Sequence, residues 1–454
     1  MDIRRVARGA AWTVAAGAML VVGLYLVLVA INWRDESPSA DALRLQRIIE
    51  DRPVVSDSEN AFVYLLGLGV RRDQDPFAWG VRRRAFLDAF PTADASKEWA
   101  ALPGTDHDFS VARAKAITTL IEACREGGND CWSQLQDHPD QVDEWSASEG
   151  WLLERYLKLI HLTQWRESIP ADVRAPFPSY RSALDGQWLL FMDAWRHARH
   201  GDALAARELL QQDHAFWRMV LRSSDILIAR IIAAVAIERN FLLGNLVLRQ
   251  LHMVGSDATA PASWSIPLER GDWSMARTFA GEWRFSQGAL DSPMQPFQVQ
   301  EEGVASRFVG WTMRPMLKKQ ATGNLLAANM VRLIDGLDVD ISELPGAIDA
   351  LGRPWRSGMP LYNPVGEILG RIGYSNYAPY AARVGDLEGT RRAVLLAAEL
   401  RSQHCHCASG MSRLVADSAL RNPYSNAPFA WDEDGRSIVF LGAATPRGRH
   451  VVPL

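Results

Sequence analysis

The 454-residue chain is poor in two residue types, with four cysteines and five lysines. Four cysteines cannot staple a chain of this length, so a disulfide-dense secreted scaffold is excluded. The lysine shortage is offset by 44 arginines spread along the chain, the pattern of a GC-rich bacterial genome, and the formal net charge is only −4. No basic footprint of a nucleic-acid binder remains. Several catalytic signatures are also missing: G-x-S-x-G, S-x-x-K, H-E-x-x-H, the Walker loop and G-x-G-x-x-G. Their absence sets aside the common serine hydrolases, zincins and nucleotide enzymes. What is present is globular in character, 48% hydrophobic and 22% charged, which excludes a disordered or collagen-like chain.

Long uncharged apolar runs are scarce as well; Gly9 to Ile31 is the one that stands out, 23 residues without a charge. About 20 helical residues span a ~30 Å hydrocarbon core. Arg4, Arg5 and Arg8 precede the run, while Arg34, Asp35 and Glu36 after it nearly cancel. The positive-inside rule then predicts a cytoplasmic tip (1–8), a transmembrane helix (9–31), a linker (32–40) and a periplasmic body, in a single-pass protein of a bacterial inner membrane. A cleaved signal peptide is the competing reading. It calls for a shorter apolar core and a small-x-small site, and Val29-Ala30-Ile31-Asn32 is a poor one. The next most apolar stretch, Ile226 to Ile237, carries Arg230 and is too short to cross, so it reads as a core helix.

The predicted fold is mainly α: an irregular multi-helix body of helical hairpins with a small C-terminal β-hairpin. Ser39 is placed to cap a helix. Leu152, Tyr156, Leu159 and Ile160 mark one apolar stripe, and Leu184, Trp188, Phe191 and Trp195 another. Gly201-Asp202 breaks the second helix and restarts a third, so the two are expected to lie antiparallel. The turn resembles one tetratricopeptide-type hairpin, but no 34-residue repeat accompanies it. A long apolar helix from Asp225 to about Met253 reads as central. A helical domain is expected over 41–254, a second helical region with Pro- and Gly-rich loops over 255–421, and the hairpin segment over 422–454. Asp340 to Pro364 reads as loop. Two apolar runs flank Asp432-Glu433-Asp434-Gly435, a hairpin signal.

NPYSNAPFAW (Asn422 to Trp431) with the following SIVFLG resembles the D-P-[FW]-x-G-x-P-[FL]-x-[YW] ending of many bacterial envelope proteins, related to the D-P-W-G segment of pseudopilins. Asn422 replaces the Asp and Asn426 the Gly, and the pseudopilin N-terminal start is missing. With ENAFVYLLGL (Glu59 to Leu68) and YNPVGEILGR (Tyr362 to Arg371), the layout resembles uncharacterised single-pass envelope proteins of proteobacteria. That resemblance implies location and fold and no activity.

Cys124 and Cys131 flank a Gly127-Gly128 turn between two helices, close enough for a disulfide in an oxidising compartment; the alternative is two free thiols. His404, Cys405, His406 and Cys407 are soft metal ligands, though neighbours on one loop point apart. A Cys405–Cys407 disulfide, or a bond to the first pair, competes with metal there. Asp106-His107-Asp108 reads as a loop and cap. His197 and His200 have chelating spacing at a helix C-terminus, where histidine is also electrostatically welcome. Glu154 and His161 read as a core pair. Most tryptophans fall on apolar stripes and read as core. No cofactor is expected.

Two functions fit this sequence. The first is a membrane-anchored periplasmic protein that binds another envelope protein, as an envelope accessory or an immunity or inhibitor protein. The second is an envelope-acting hydrolase with a nonstandard site.

Overall fold

A computed structural model describes residues 3–90, 113, 115–172, 175–291, 311–352, 360–374, 377–403, 410–444 and 448–454. It is mainly helical, with nineteen α-helices among the described residues and one small sheet near the C-terminus. The apolar run lies inside a single 29-residue helix, Ile3–Ile31. Its segment Trp12–Ile31 is long and apolar enough to cross a membrane, and the body buries none of that segment's most apolar stretch.

The body is organised around the helix Leu227–Met253, buried nearly all round. It also passes the length and apolarity test, but 72% of its most apolar stretch is inside the body. Arg181–Arg199, Ala203–Ser223 and Leu227–Met253 follow one another through short turns and pack as neighbours. The first turn works as the sequence implies. Gly201 takes a positive φ of 76°, a conformation that costs glycine little. Asp202 then caps the next helix by accepting from the Ala205 amide at 3.2 Å. Trp188, Trp195 and Trp217 are buried, as their stripes require. The cap at Ser39 also forms, with its hydroxyl accepting from the Ala42 amide.

Cys124 and Cys131 are disulfide-bonded with their Cα atoms 4.4 Å apart. Gly127 makes the turn between them at φ 62° and lies against Leu242 of the central helix. Two apolar clusters result. The larger runs from Ala61 to Leu268 and resumes from Val384 to Val452. The smaller is built from Ala42, Leu45, Met275, Phe279, Met330, Leu333 and their neighbours. Helix Ala378–Ser402 contributes to both.

The C-terminal segment corrects the two-stranded expectation. Three antiparallel strands form, β1 (Ala430–Asp432), β2 (Ser437–Leu441) and β3 (Arg449–Pro453), in that spatial order. Val439 pairs with Ala430 on one side and Val451 on the other. The third strand escapes a hydrophobic pattern because it is short, opens Arg-His and ends in proline. The Asp-Gly signal locates the turn, but Arg436, at φ 43°, takes the left-handed position. Asn426, which stands at the resemblance's Gly, is at φ 55°, a region asparagine enters more readily than most residues. A second correction lies in the stretch expected to be loop, where Leu344–Leu351 is a helix. Pro345 sits in its first turn, where no amide partner is lost, and Leu344 and Leu351 are its buried contacts.

Candidate functional site

Two clusters of titratable groups border small cavities. The first joins the sheet to the core. Strand β3 carries His450 to the groove between the helices Leu227–Met253 and Ala378–Ser402. There Nδ1 lies 2.9 Å from Glu238 Oε1, and Nε2 lies 3.5 Å from Asp386 Oδ2. Asp386 in turn accepts from the Tyr424 hydroxyl at 2.7 Å and from the Ala443 and Ala444 amides at 2.8 and 3.0 Å. Phe440 stacks on both His450 and Tyr424. Its ring tip rests on Gly389, where a Cβ would collide with it.

Burial by itself would push the His450 imidazolium down, but the hydrogen bonds and charges of Asp386 and Glu238 prevail and hold it at about 9. Burial, with the Asp386 charge next, drives the Tyr424 phenol far above its usual value. At neutral pH the histidine is therefore a paired cation. Its charge is balanced by the two carboxylates it faces. The adjoining cavity, about 40 Å³, is lined by Ile231, Val235, Arg383 and Leu387. That is room for a few waters.

The second cluster is a carboxyl pair. Glu167 Oε2 accepts from the Asp225 and Ile226 amides at 2.6 and 3.1 Å. Burial first, then the neighbouring Asp225 charge, raise Glu167 to about 8. Asp225 is ion-paired with Arg52. Burial raises Asp225 as well, against the pull of Arg52 and Arg277, so the two carboxyls titrate as a coupled pair. The cavity beside them, lined by Ile49, Pro170, Gly281, Arg284 and Phe285, is again about 40 Å³, room for water rather than for a substrate.

Among the described residues, the candidates from the sequence are not brought together. His404, Cys405, His406 and Cys407 lie outside the described residues, as do Asp106, His107 and Asp108. His197 faces Asp202 at 3.1 Å, whereas the His200 ring bonds the Arg196 carbonyl at 2.8 Å. Glu154 and His161 are not a core pair. Both are exposed, because the stripe Leu152, Tyr156, Leu159 and Ile160 takes the buried side. Glu154 instead accepts from Lys158 at 2.8 Å, which holds it below its usual range. Among the described residues no group of three or more His, Cys, Asp or Glu is placed to hold a metal ion.

The sequence reading missed Glu238, Asp386, Tyr424, His450, Glu167 and Asp225. Only Glu238 and Asp225 stood out locally, as polar ends of an apolar run. The fold is that of a helical body with an apolar N-terminal helix and a C-terminal three-stranded sheet. No protein-family model, curated protein or solved structure matches this chain.

Proposed function

We propose that this is a single-pass protein of a bacterial inner membrane. Gly9–Ile31 is its anchor, its N-terminus is cytoplasmic, and its helical body stands in the periplasm, where it holds another envelope protein. The observation that carries the reading is the apolar helix, whose Trp12–Ile31 segment the body leaves uncovered. An apolar surface of that extent needs a lipid environment. The Cys124–Cys131 disulfide suits an oxidising compartment. The water-sized cavities beside both titratable clusters favour a binding role over a hydrolytic one.

A surface for the partner lies at one end of the helical hairpins. Leu204, at the start of one helix, and Met253 and Val254, at the end of the next, are all exposed. The Arg207–Asp257 ion pair and the Ser256 hydrogen bond to the Gly201 carbonyl hold them at the same end. An envelope accessory and an immunity or inhibitor protein are the two forms such binding takes here.

The test is cross-linking and purification of the full chain from membranes. One stoichiometric protein partner is expected, lost in the double variant Leu204→Glu, Met253→Glu with the helical content unchanged. Recovery of no partner, or of one indifferent to that variant, contradicts the assignment of this surface. The alternative, an envelope-acting hydrolase, would rest on Glu167 and Asp225. It predicts an activity abolished by Glu167→Gln.

A further inference from the structure

The body does not merely follow the apolar helix; it grips its last two turns. Along the helix, Trp12 to Leu24 are exposed, and cover begins at Tyr25, Leu28, Val29 and Asn32. That spacing, i, i+3, i+4, i+7, is one helical face. The Tyr25 hydroxyl donates to the Thr312 carbonyl at 3.2 Å. Tyr25 lies six residues before Ile31, so Thr312 sits about 9 Å back along the apolar run.

Nearer the exit the attachment is polar and buried. Asn32 Nδ2 donates to the Leu361 carbonyl at 2.9 Å, and Asn32 Oδ1 accepts from the Asn363 amide at 2.6 Å. Asp35 caps the helix Lys319–Leu337 by accepting from the Gln320 and Ala321 amides at 3.0 Å each. Anchor and body are therefore joined by several hydrogen bonds at the end of the helix.

The side chains around this junction are layered. Trp311, Met313 and Leu361 are exposed, by 67, 42 and 62%, and Trp33 by 76%. Along the chain Arg34 follows Trp33, Arg314 follows Met313, and Lys318 and Lys319, two of the chain's five lysines, come a few residues later. Between Trp33, Arg34 and Tyr362 an open groove runs against the end of the apolar helix. Exposed apolar and aromatic groups around the helix end, with cations close by in sequence, are the residue types that meet the boundary between acyl chains and headgroups.

We propose that this face of the body is a second membrane contact. Trp311, Met313 and Leu361 enter the outer boundary of the same bilayer that holds the anchor, and Arg34, Arg314, Lys318 and Lys319 meet anionic headgroups. The occupant is lipid, because the patch is continuous with the apolar helix and reaches below its end. The proposal rests on the anchor reading above. It fixes the orientation of the body, which lies against the membrane rather than standing off on a free linker.

The test uses the full chain in vesicles of phosphatidylethanolamine and phosphatidylglycerol, with Cys405→Ser and Cys407→Ser and one nitroxide label at a time. The labelled positions are Val21→Cys, Met313→Cys and Leu361→Cys. Collisions with oxygen, which partitions into the bilayer, are compared with those of a water-soluble nickel chelate. At all three positions oxygen is expected to win, with a ratio several-fold above that of a label in water. If Val21 is in lipid while Met313 and Leu361 meet the nickel chelate, the second contact is wrong and the anchor stands. Nickel access at Val21 overturns both. Labels at 313 and 361 shielded from both reagents would mean that a second copy of the chain covers the patch, which also overturns the proposal.

Discussion

Replacing Asp272 by alanine should destabilise the body by about 3 kcal/mol, chiefly the cost of leaving the mostly buried Arg218 without its counter-charge. Asp272 is fully buried, and its carboxylate gathers two arginines from one helix. Arg218 donates at 3.1 and 2.8 Å, while Arg222 donates through Nε and, at 2.9 Å, through Nη2. The same carboxylate accepts the Glu269 amide at 2.7 Å, and the Asp272 carbonyl takes buried Arg230 at 2.6 Å. Burial would raise this carboxyl, but the hydrogen bonds from Arg222 and Arg218 outweigh it and keep it below its usual range. Asp272→Asn keeps the shape and one good acceptor, so it should cost less. Urea unfolding of the purified full chain, followed by far-UV circular dichroism, reads both. An Asp272→Ala protein as stable as the parent would show that the arginines find water or other partners.

The second large effect is a loss of stability at alkaline pH that runs through His450. Its folded value, about 9, lies above the ordinary 6.5. The folded state therefore binds the proton more tightly than the unfolded chain does. The contribution is complete below about pH 6.5, and it is lost as pH rises through about 9. A shift of that size corresponds to stability on the order of 3 kcal/mol. Glu167, raised to about 8 from 4.5, slopes in the same sense over its own range. Asp213, buried and raised to about 6 from 3.8, does so at lower pH. The His450 share is thus read as a difference between the parent and His450→Gln across pH 6 to 9.5. The groups that face His450 are Glu238, Asp386 and, across the cavity, Arg383. Parallel curves for the two proteins would remove His450 from the account.

These two clusters mark what the sequence left hidden. Local features could be read directly. The uncharged run gave the N-terminal helix, Gly127-Gly128 between two cysteines gave the disulfide, and Gly201-Asp202 gave the hairpin, because each depends on residues a few positions apart. Glu238 and His450 lie more than two hundred residues apart, and nothing in either's surroundings points to the other. Glu167 sits in a non-helical stretch with no periodicity to reveal that it is buried. Asp213 lies on a helix whose apolar stripe suggests a solvated face for a carboxylate. In the fold it accepts from Tyr156, Gln187 and Asn240 deep in the core. Tertiary packing buries these groups, and a satisfied buried polar residue looks in sequence like an exposed one. Conversely, Glu154 and His161 have the spacing of a same-face pair, but their face of the helix Gly150–Ile160 and its cap points to solvent.

The central claim is that Gly9–Ile31 crosses a membrane and leaves the body on the outer side. Fusing alkaline phosphatase or β-galactosidase after Leu454 of the full chain in a bacterial host measures this directly. The account predicts an active phosphatase, which needs the oxidising periplasm, and an inactive β-galactosidase. An active β-galactosidase with a silent phosphatase would put the body in the cytoplasm and contradict it.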